Sequence, residues 1–170
     1  MDTWTQDIGS GVVDRTPYNE GDVFAVPLRD GGYAPGVIAR ADGKGVVVGY
    51  FFAKRFQSVP PISALGDLSP LDHVLVQRFG DIGLIQGTWP RLGALPEWRR
   101  ESWPIPAFGR HDKLTDSYVR VEYADNDPNS RPREVPISEE QFEQLANDGL
   151  AGFQFVEDRL TRLLSAGDSD

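Results

Sequence analysis

The chain has 170 residues, no cysteine and a formal net charge of -9. A chain of this length can bury about 70% of its unfolded surface in one domain, and the lack of cysteine excludes disulfides, thiolate metal sites and thiol nucleophiles. The acidic balance argues against direct nucleic-acid binding, because phosphate contacts need clustered lysine and arginine. Residues 1–10 lack the basic and apolar regions of a signal peptide, and no run approaches the roughly eighteen apolar residues of a membrane span. We therefore expect a soluble, cytoplasmic protein.

A meander of three β-strands is predicted after a loose lead-in over residues 1–20, whose Trp4 could fold back against a core edge. The two connections between the strands carry Asp30-Gly31 and Asp42-Gly43. Asp-Gly between apolar runs is a strong hairpin signal, because glycine adopts positive φ without a steric clash. Apolar residues on both faces of the third strand indicate that it is covered on both sides. The predicted strands are Asp22–Leu28, Tyr33–Ala41 and Gly45–Ala53.

The middle of the chain predicts two more strands, His73–Phe79 and Ile82–Gln86, followed by an irregular segment over residues 87–93. Three of the four tryptophans then fall within fifteen residues: Trp89, Trp98 and Trp103. Such a cluster is either a ligand platform or the sealed end of a β-barrel. Aromatic rings beside proline and glycine favour the structural role.

The last third of the chain predicts two strands and then two helices. The strands are Tyr118–Tyr123 and Arg133–Ile137, separated by a polar turn over residues 125–130. Ser138 and Gln141 have the spacing of a capping box, which starts a helix that we expect to end at Gly149. An apolar stripe predicts a second helix over residues 150–165.

These elements predict a single α+β domain over residues 1–170. We expect a curved antiparallel β-sheet or partly open β-barrel from residue 22 to 137, because Pro27 and Pro35 give the first two strands an edge or bulge character. The two C-terminal helices, within residues 138–165, are expected to pack across this sheet.

Catalytic, metal and cofactor motifs are not recognisable in the sequence. His73 lies at the start of a strand and His111 in a polar turn, and an exposed imidazole is the expected role of each. The segment from Asp125 resembles the start of a calcium loop, but Ser130 and Pro136 replace the glycine and glutamate that make such a loop specific. We expect no catalysis, metal or cofactor; an enzyme that uses His73 or His111 with a carboxylate is the alternative.

Charge is concentrated in the C-terminal part of the chain. From Asp112 onward there are fourteen Asp or Glu and six Lys or Arg, a balance of -8, whereas the preceding 111 residues carry only -1. An acidic surface steers a protein toward a basic partner, although acidic side chains also serve simply to keep a protein soluble. The candidate contact residues are Glu122, Asp125, Asp127, Glu139, Glu140 and Glu143.

The segment Gly21–Arg40 resembles the opening of the immunity protein 26 family of bacterial polymorphic-toxin systems. It carries, in order, the Gly-Asp, Phe, Pro-Leu, Asp-Gly and Tyr residues of the hairpin with which the family begins. The resemblance continues at Ile82–Gly93, which contains a Gly-x-Trp-Pro segment, and at Trp103–Phe108. The resemblance implies a cytoplasmic protein that binds and neutralises a cognate toxin domain, and it supplies no catalytic residues.

Together with the acidic C-terminal part, this resemblance leads us to expect a stoichiometric inhibitor. Its partner is expected to be a basic toxin domain, with a nuclease as one candidate, rather than nucleic acid or a membrane. Besides the enzyme, a second alternative is a β module that binds a small ligand or peptide on Trp89, Trp98 and Trp103.

Overall fold

A computed structural model describes residues 17–167, with side chains to residue 165. Trp4 and most of the predicted lead-in lie outside these residues. The described part contains ten strands and three α-helices, together with short 3-10 turns. The strands are β1 (Asp22–Pro27), β2 (Tyr33–Ala41), β3 (Val46–Phe52), β4 (His73–Gly80), β5 (Arg91–Ala94), β6 (Phe108–Asp112), β7 (Ser117–Glu122), β8 (Arg133–Ile137), β9 (Ala146–Asn147) and β10 (Leu150–Ala151). The helices are α1 (Ile82–Gln86), α2 (Glu139–Glu143) and α3 (Phe153–Gly167).

The predicted meander is confirmed as β1, β2 and β3, which pair in antiparallel order. In the first connection Gly31 and Gly32 have φ of +108° and +83°, the positive values that the hairpin needs and that glycine supplies. In the second, Asp42 Oδ1 accepts hydrogen bonds from the backbone N–H groups of Lys44 and Val46 at 2.7 and 2.9 Å. Local turn chemistry therefore fixes this part of the fold.

Within residues 17–167, two sheets replace the single curved sheet or partly open barrel that we expected, and neither closes into a barrel. The larger has the strand order β10-β4-β3-β2-β1-β5 and the smaller β8-β7-β6-β9. Both are mixed, because β10 lies parallel to β4 and β9 parallel to β6. The sheets separate because β6 and β7 pair with each other and with β8 and β9, and not with the meander. The α+β class stands, but its arrangement is two packed sheets with helices.

Two cores cover the two faces of the larger sheet. The helix core lies under α3 and includes Val47, Phe51 and Phe79, and the inter-sheet core lies against the smaller sheet and includes Val48, Phe52 and Phe108. β3 contributes alternate residues to each core, and all seven of its residues are buried. This confirms the expectation that the third strand is covered on both sides.

The predicted strand at Ile82–Gln86 is wrong, because these residues form α1. Leu84 is buried, whereas Ile82 and Ile85 are 52% and 50% exposed, and Gly87 ends the helix with φ of +81°. A five-residue apolar run fits a strand and a helical turn equally well by its pattern. The tertiary position decides, since a Cβ on Gly83 would lie 2.9 Å from the Trp89 ring.

The segment expected to be irregular, residues 87–93, contains most of β5. This strand pairs antiparallel with β1, and Arg91 Nε donates to Asp22 Oδ2 at 2.6 Å across the pair. Four residues without an alternating pattern carry little strand signal of their own. Their pairing depends on the edge that β1 presents.

The two C-terminal helices are confirmed, but with other bounds than predicted. They also do not pack across one sheet as expected, because α2 lies on β6 and β7 of the smaller sheet and α3 on β4 of the larger. Ser138 and Gln141 make the capping box of α2, but the helix ends at Glu143 because Ala146 and Asn147 pair with β6 as β9. Residues 150–151 likewise pair with β4 as β10, so α3 begins at Phe153. It buries Val156, Leu160 and Leu164, in the i, i+4, i+8 spacing of one helix face. Among the described residues, none of the helices combines the length and the apolar character needed to cross a membrane.

Candidate functional site

The six predicted acidic residues form two groups in the structure. We call Glu122, Asp125 and Asp127 the turn acids, and Glu139, Glu140 and Glu143 the helix acids. Glu122 ends β7, whereas the helix acids follow Ile137, which pairs with Tyr118 at the start of the same strand. β7 spans about 16 Å, at about 3.3 Å per residue. The two groups therefore start from opposite ends of one strand.

Glu122 and Asp127 are occupied by contacts within the protein. Glu122 accepts hydrogen bonds from Arg120 Nε at 2.7 Å and from Arg133 at 3.0 Å. The hydrogen bond from Arg120 and the charges of both arginines lower the pKa of Glu122. Asp127 Oδ1 accepts from the backbone N–H of Asn129 at 2.9 Å, as is common for aspartate in a turn.

Asp125 is the exposed partner of a buried cation. The Arg40 side chain is 1% exposed, and its NH2 lies 2.8 Å from Asp125 Oδ1, although the Asp125 side chain is 60% exposed. Arg100 NH1 contacts the other carboxylate oxygen at 3.0 Å. Partial desolvation acts to raise the pKa of Asp125, but the hydrogen bond from Arg40 and the charges of both arginines outweigh it, so that the pKa is lowered. This carboxylate ties the smaller sheet's turn to β2.

The helix acids lie on the exposed side of α2. The helix is held by Phe142, whose ring lies 4.9 Å from that of Tyr118 and covers Gly109, where a Cβ would lie 2.8 Å from it. Desolvation and the neighbouring charge of Glu139 raise the pKa of the Tyr118 hydroxyl. No salt bridge to Glu140 or Glu143 exists among the described residues. These two carboxylates are therefore available to a partner in a way that Glu122 and Asp125 are not.

The three tryptophans of the alternative ligand platform are divided between the two cores. Trp89 is 1% exposed in the helix core, stacked on Phe24 at 5.5 Å, and its indole N–H donates to Glu157 at 2.8 Å. Trp103 is 3% exposed in the inter-sheet core, and the half-buried Trp98 ring lies 6.0 Å from it. The three rings do not share a surface, and two of them offer no face to a ligand.

The two histidines make local contacts. His73 Nδ1 lies 2.6 Å from the Pro70 carbonyl oxygen, and His111 Nε2 lies 3.0 Å from Asp116 Oδ1 in an exposed hairpin, with its ring stacked on Tyr118 at 4.4 Å. Within residues 17–167, no group of three or more His, Asp or Glu side chains could hold a metal ion.

A groove that the sequence did not indicate lies between β4 and the first half of α3. We call it the α3 groove; its volume is about 320 Å³. Phe155 and Arg159 of α3 lie on its wall, and Leu150 of β10 lies at its edge. One sequence feature could have indicated this surface: Phe155, Arg159 and Leu163 are spaced by four residues. This spacing places them on a helix flank beside the apolar stripe of α3 that packs in the core. The lining residues are Gln77, Asn147, Asp148, Gly149, Leu150, Ala151, Gly152, Phe155 and Arg159.

Comparison with known proteins gives one family. The model of the family described as Immunity protein 26 matches residues 19–120, which is more than half of the chain and runs from the residues before β1 to β7. No curated protein and no solved structure matches the chain. The match includes the hairpin, Trp-Pro and Trp103–Phe108 segments on which the sequence resemblance rests. The chain therefore belongs to the immunity protein 26 family.

Proposed function

We propose that this protein neutralises a cognate toxin domain by stoichiometric binding in the cytoplasm, with the helix acids at the contact. Membership of the family implies an immunity role, and immunity proteins are generally non-catalytic. The observation that carries the choice of surface is the exposure of Glu139, Glu140 and Glu143 on one short helix, with Glu140 and Glu143 free of salt bridges to the described residues.

The helix acids are favoured as the contact surface because two of the turn acids are already engaged within this chain. Glu122 and Asp125 already neutralise arginines of this chain, so a partner would have to compete for them. The electric field of an unpaired carboxylate extends into the solvent. It accelerates encounter with a basic protein surface and disfavours encounter with an acidic protein surface. We therefore propose a toxin domain with a basic surface, and a nuclease is one class that carries such a surface.

The position of these residues in the chain supports the same proposal. The family match ends at residue 120, and residues 121–170 contain twelve Asp or Glu against four Lys or Arg. Features common to the family lie within the matched part, whereas recognition of one particular toxin requires features that differ between members. The acidic C-terminal residues are suited to that second role.

The test uses the protein domain encoded immediately upstream of this gene. It is expressed with and without this chain, and growth, co-purification and the association rate are measured. Reversal of the helix acids (Glu139→Lys, Glu140→Lys and Glu143→Lys together) should lower the association rate at low salt by about tenfold and flatten its salt dependence. A matched control reverses three other exposed acids, Asp67, Asp72 and Glu97, and changes the net charge equally.

The two variants separate the effect of the protein's net charge from the effect of where the acidic residues lie. A loss confined to the helix variant supports the proposed surface, and an equal loss in both variants means that only total charge matters. If the helix variant binds as fast as the wild type, the helix acids are merely solvated. If the upstream domain is not toxic and forms no complex with this chain, the proposed immunity function toward it fails.

A further inference from the structure

One arginine that lines the α3 groove, Arg159, has no ion-pair partner among the described residues. The Nε of Arg159 is buried and has no hydrogen-bond partner, and Arg159 takes part in no salt bridge within residues 17–167. The two buried arginines are satisfied by the protein itself: Arg40 donates to several carbonyl and carboxylate oxygens, and Arg78 donates to the Pro128 carbonyl and to Tyr123. A buried donor without an acceptor is costly. Because Nε has no accessible surface and the residue as a whole is half-buried, a carboxylate from outside would meet the guanidinium at its terminal nitrogens.

The acid that lines the same groove cannot satisfy Arg159. Asp148 accepts a hydrogen bond from the Tyr123 hydroxyl at 2.6 Å and lies 3.4 Å from Arg110 and 3.8 Å from Arg78. The Asp148 side chain is 9% exposed, and its charge is directed toward these two arginines rather than toward Arg159. The groove therefore presents a net need for an anion, although it lies in the most acidic part of the chain.

Exposed apolar side chains lie on the same groove or on the same helix flank as Arg159. Leu150 is 54% exposed and Phe155 48% exposed on the groove, and Leu163, 37% exposed, follows Arg159 by one helical turn. Phe155, Arg159 and Leu163 share a flank of α3, since they are spaced by four residues. Exposed apolar residues grouped around a single polar anchor are typical of protein contact sites.

We propose that the α3 groove receives an acidic side chain of the toxin domain, which pairs with Arg159 while its apolar neighbours pack on Leu150 and Phe155. This inference rests on the proposed function, and it adds a second contact of opposite charge to the helix acids. A partner that matches both the acids on α2 and the cation on α3 is restricted in the orientations in which it can bind. Such alternation of charge gives specificity as well as encounter rate.

The test measures the dissociation constant of the complex with the upstream-encoded domain. Arg159→Gln should weaken binding by about tenfold or more, because it removes the charge that pairs with the toxin's acid. Arg159→Lys should recover part of the loss, since an ammonium keeps the charge but not the two-pronged geometry of a guanidinium. Arg162→Gln is the matched control: it removes an exposed arginine of the same helix and should change affinity by less than about twofold.

The apolar rim is tested in the same assay. Phe155→Ser should weaken binding by about tenfold, whereas Leu114→Ser, at a hairpin position that is 98% exposed, should have no effect. Thermal unfolding of each free variant verifies that it is folded. In a charge exchange, Arg159→Glu should abolish the complex, and replacement of one toxin acid by arginine should restore it.

Failure of this inference is distinguishable from failure of the proposed function. A wild-type complex that forms normally, with Arg159→Gln and Arg162→Gln equal in affinity, overturns the inference and leaves the immunity role intact. If no variant and no wild-type protein binds the domain, both fail. The inference is also overturned if the Arg159 Nε–H resonance of the free protein shifts on deletion of residues 1–16, or with protein concentration, since the occupant is then this chain or a second copy.

Discussion

Replacement of Asp125 tests whether an exposed acidic residue acts in folding rather than in binding. Arg40 is buried in β2, and its NH2 and Nε lie 2.8 and 3.2 Å from Asp125 Oδ1. Asp125→Ala removes this counter-ion and leaves the guanidinium buried. Such a variant would lose stability even if Asp125 never touched the toxin.

The expected magnitude follows from the surroundings of the pair. Removal of one partner from a fully buried ion pair costs about 3–5 kcal/mol. Here the Asp125 side chain is 60% exposed, so water screens the attraction, and Arg40 keeps the carbonyl oxygens of Ala39 and Trp103 at 2.7 and 3.0 Å. We expect Asp125→Ala to lower the free energy of unfolding by about 2 kcal/mol, and Asp125→Asn, which retains an acceptor, by about 1 kcal/mol. For a domain of this size, 2 kcal/mol corresponds to a fall in Tm of about 4–8 °C.

The assay is urea unfolding of wild type and both variants at several pH values. The pKa of Asp125 is lower in the folded protein than its ordinary value, so its stabilising effect is present above the unfolded pKa of about 4. The effect is lost as the pH falls through the folded pKa, and the difference between wild type and Asp125→Ala should narrow there. The stabilising role of the Asp125 carboxylate is refuted if the free energies of unfolding of wild type and Asp125→Ala differ by less than about 0.5 kcal/mol at neutral pH. It is also refuted if that difference does not change with pH.

Two further predictions concern packing and alkaline stability. Gly36→Ala should destabilise the fold by about 1–3 kcal/mol, because the new Cβ would lie 2.5 Å from the Phe24 ring. The control is Gly80→Ala, whose new Cβ would have no atom within 4 Å and which should change stability by less than about 0.5 kcal/mol. Equal urea midpoints for the two variants would contradict the packing argument. Burial and the hydrogen bond to Asp148 raise the pKa of Tyr123 to about 12, above the unfolded value of about 10. Its contribution to stability should thus be complete below pH 10 and be lost between pH 10 and 12. Unfolding of Tyr123→Phe beside wild type over this pH range measures that contribution. The prediction is contradicted if the tyrosinate absorbance of the folded protein shows every tyrosine ionising near pH 10.

Local signals in the sequence predicted the parts of the fold that close over a few residues. Asp-Gly turns gave the meander β1–β3, and Ser138 with Gln141 gave the start of α2, because the turn and the capping box depend on residues two to four apart. The apolar stripe that contains Val156 and Leu160 gave α3 for the same reason. Family membership likewise rests on turn and packing residues close together in the chain.

Tertiary contacts decided everything that depends on a distant partner. Ile82–Gln86 became a helix against Trp89, residues 146–147 and 150–151 became strands at two sheet edges, and the three tryptophans were divided between two cores. The pairing of Arg40 with Asp125, 85 residues apart, gives a predicted contact residue a structural contact as well. The unsatisfied Arg159 could be recognised only once its surroundings were known. Residue type and spacing determine local geometry, whereas the solvation and pairing of a charge depend on which distant residues the fold brings beside it.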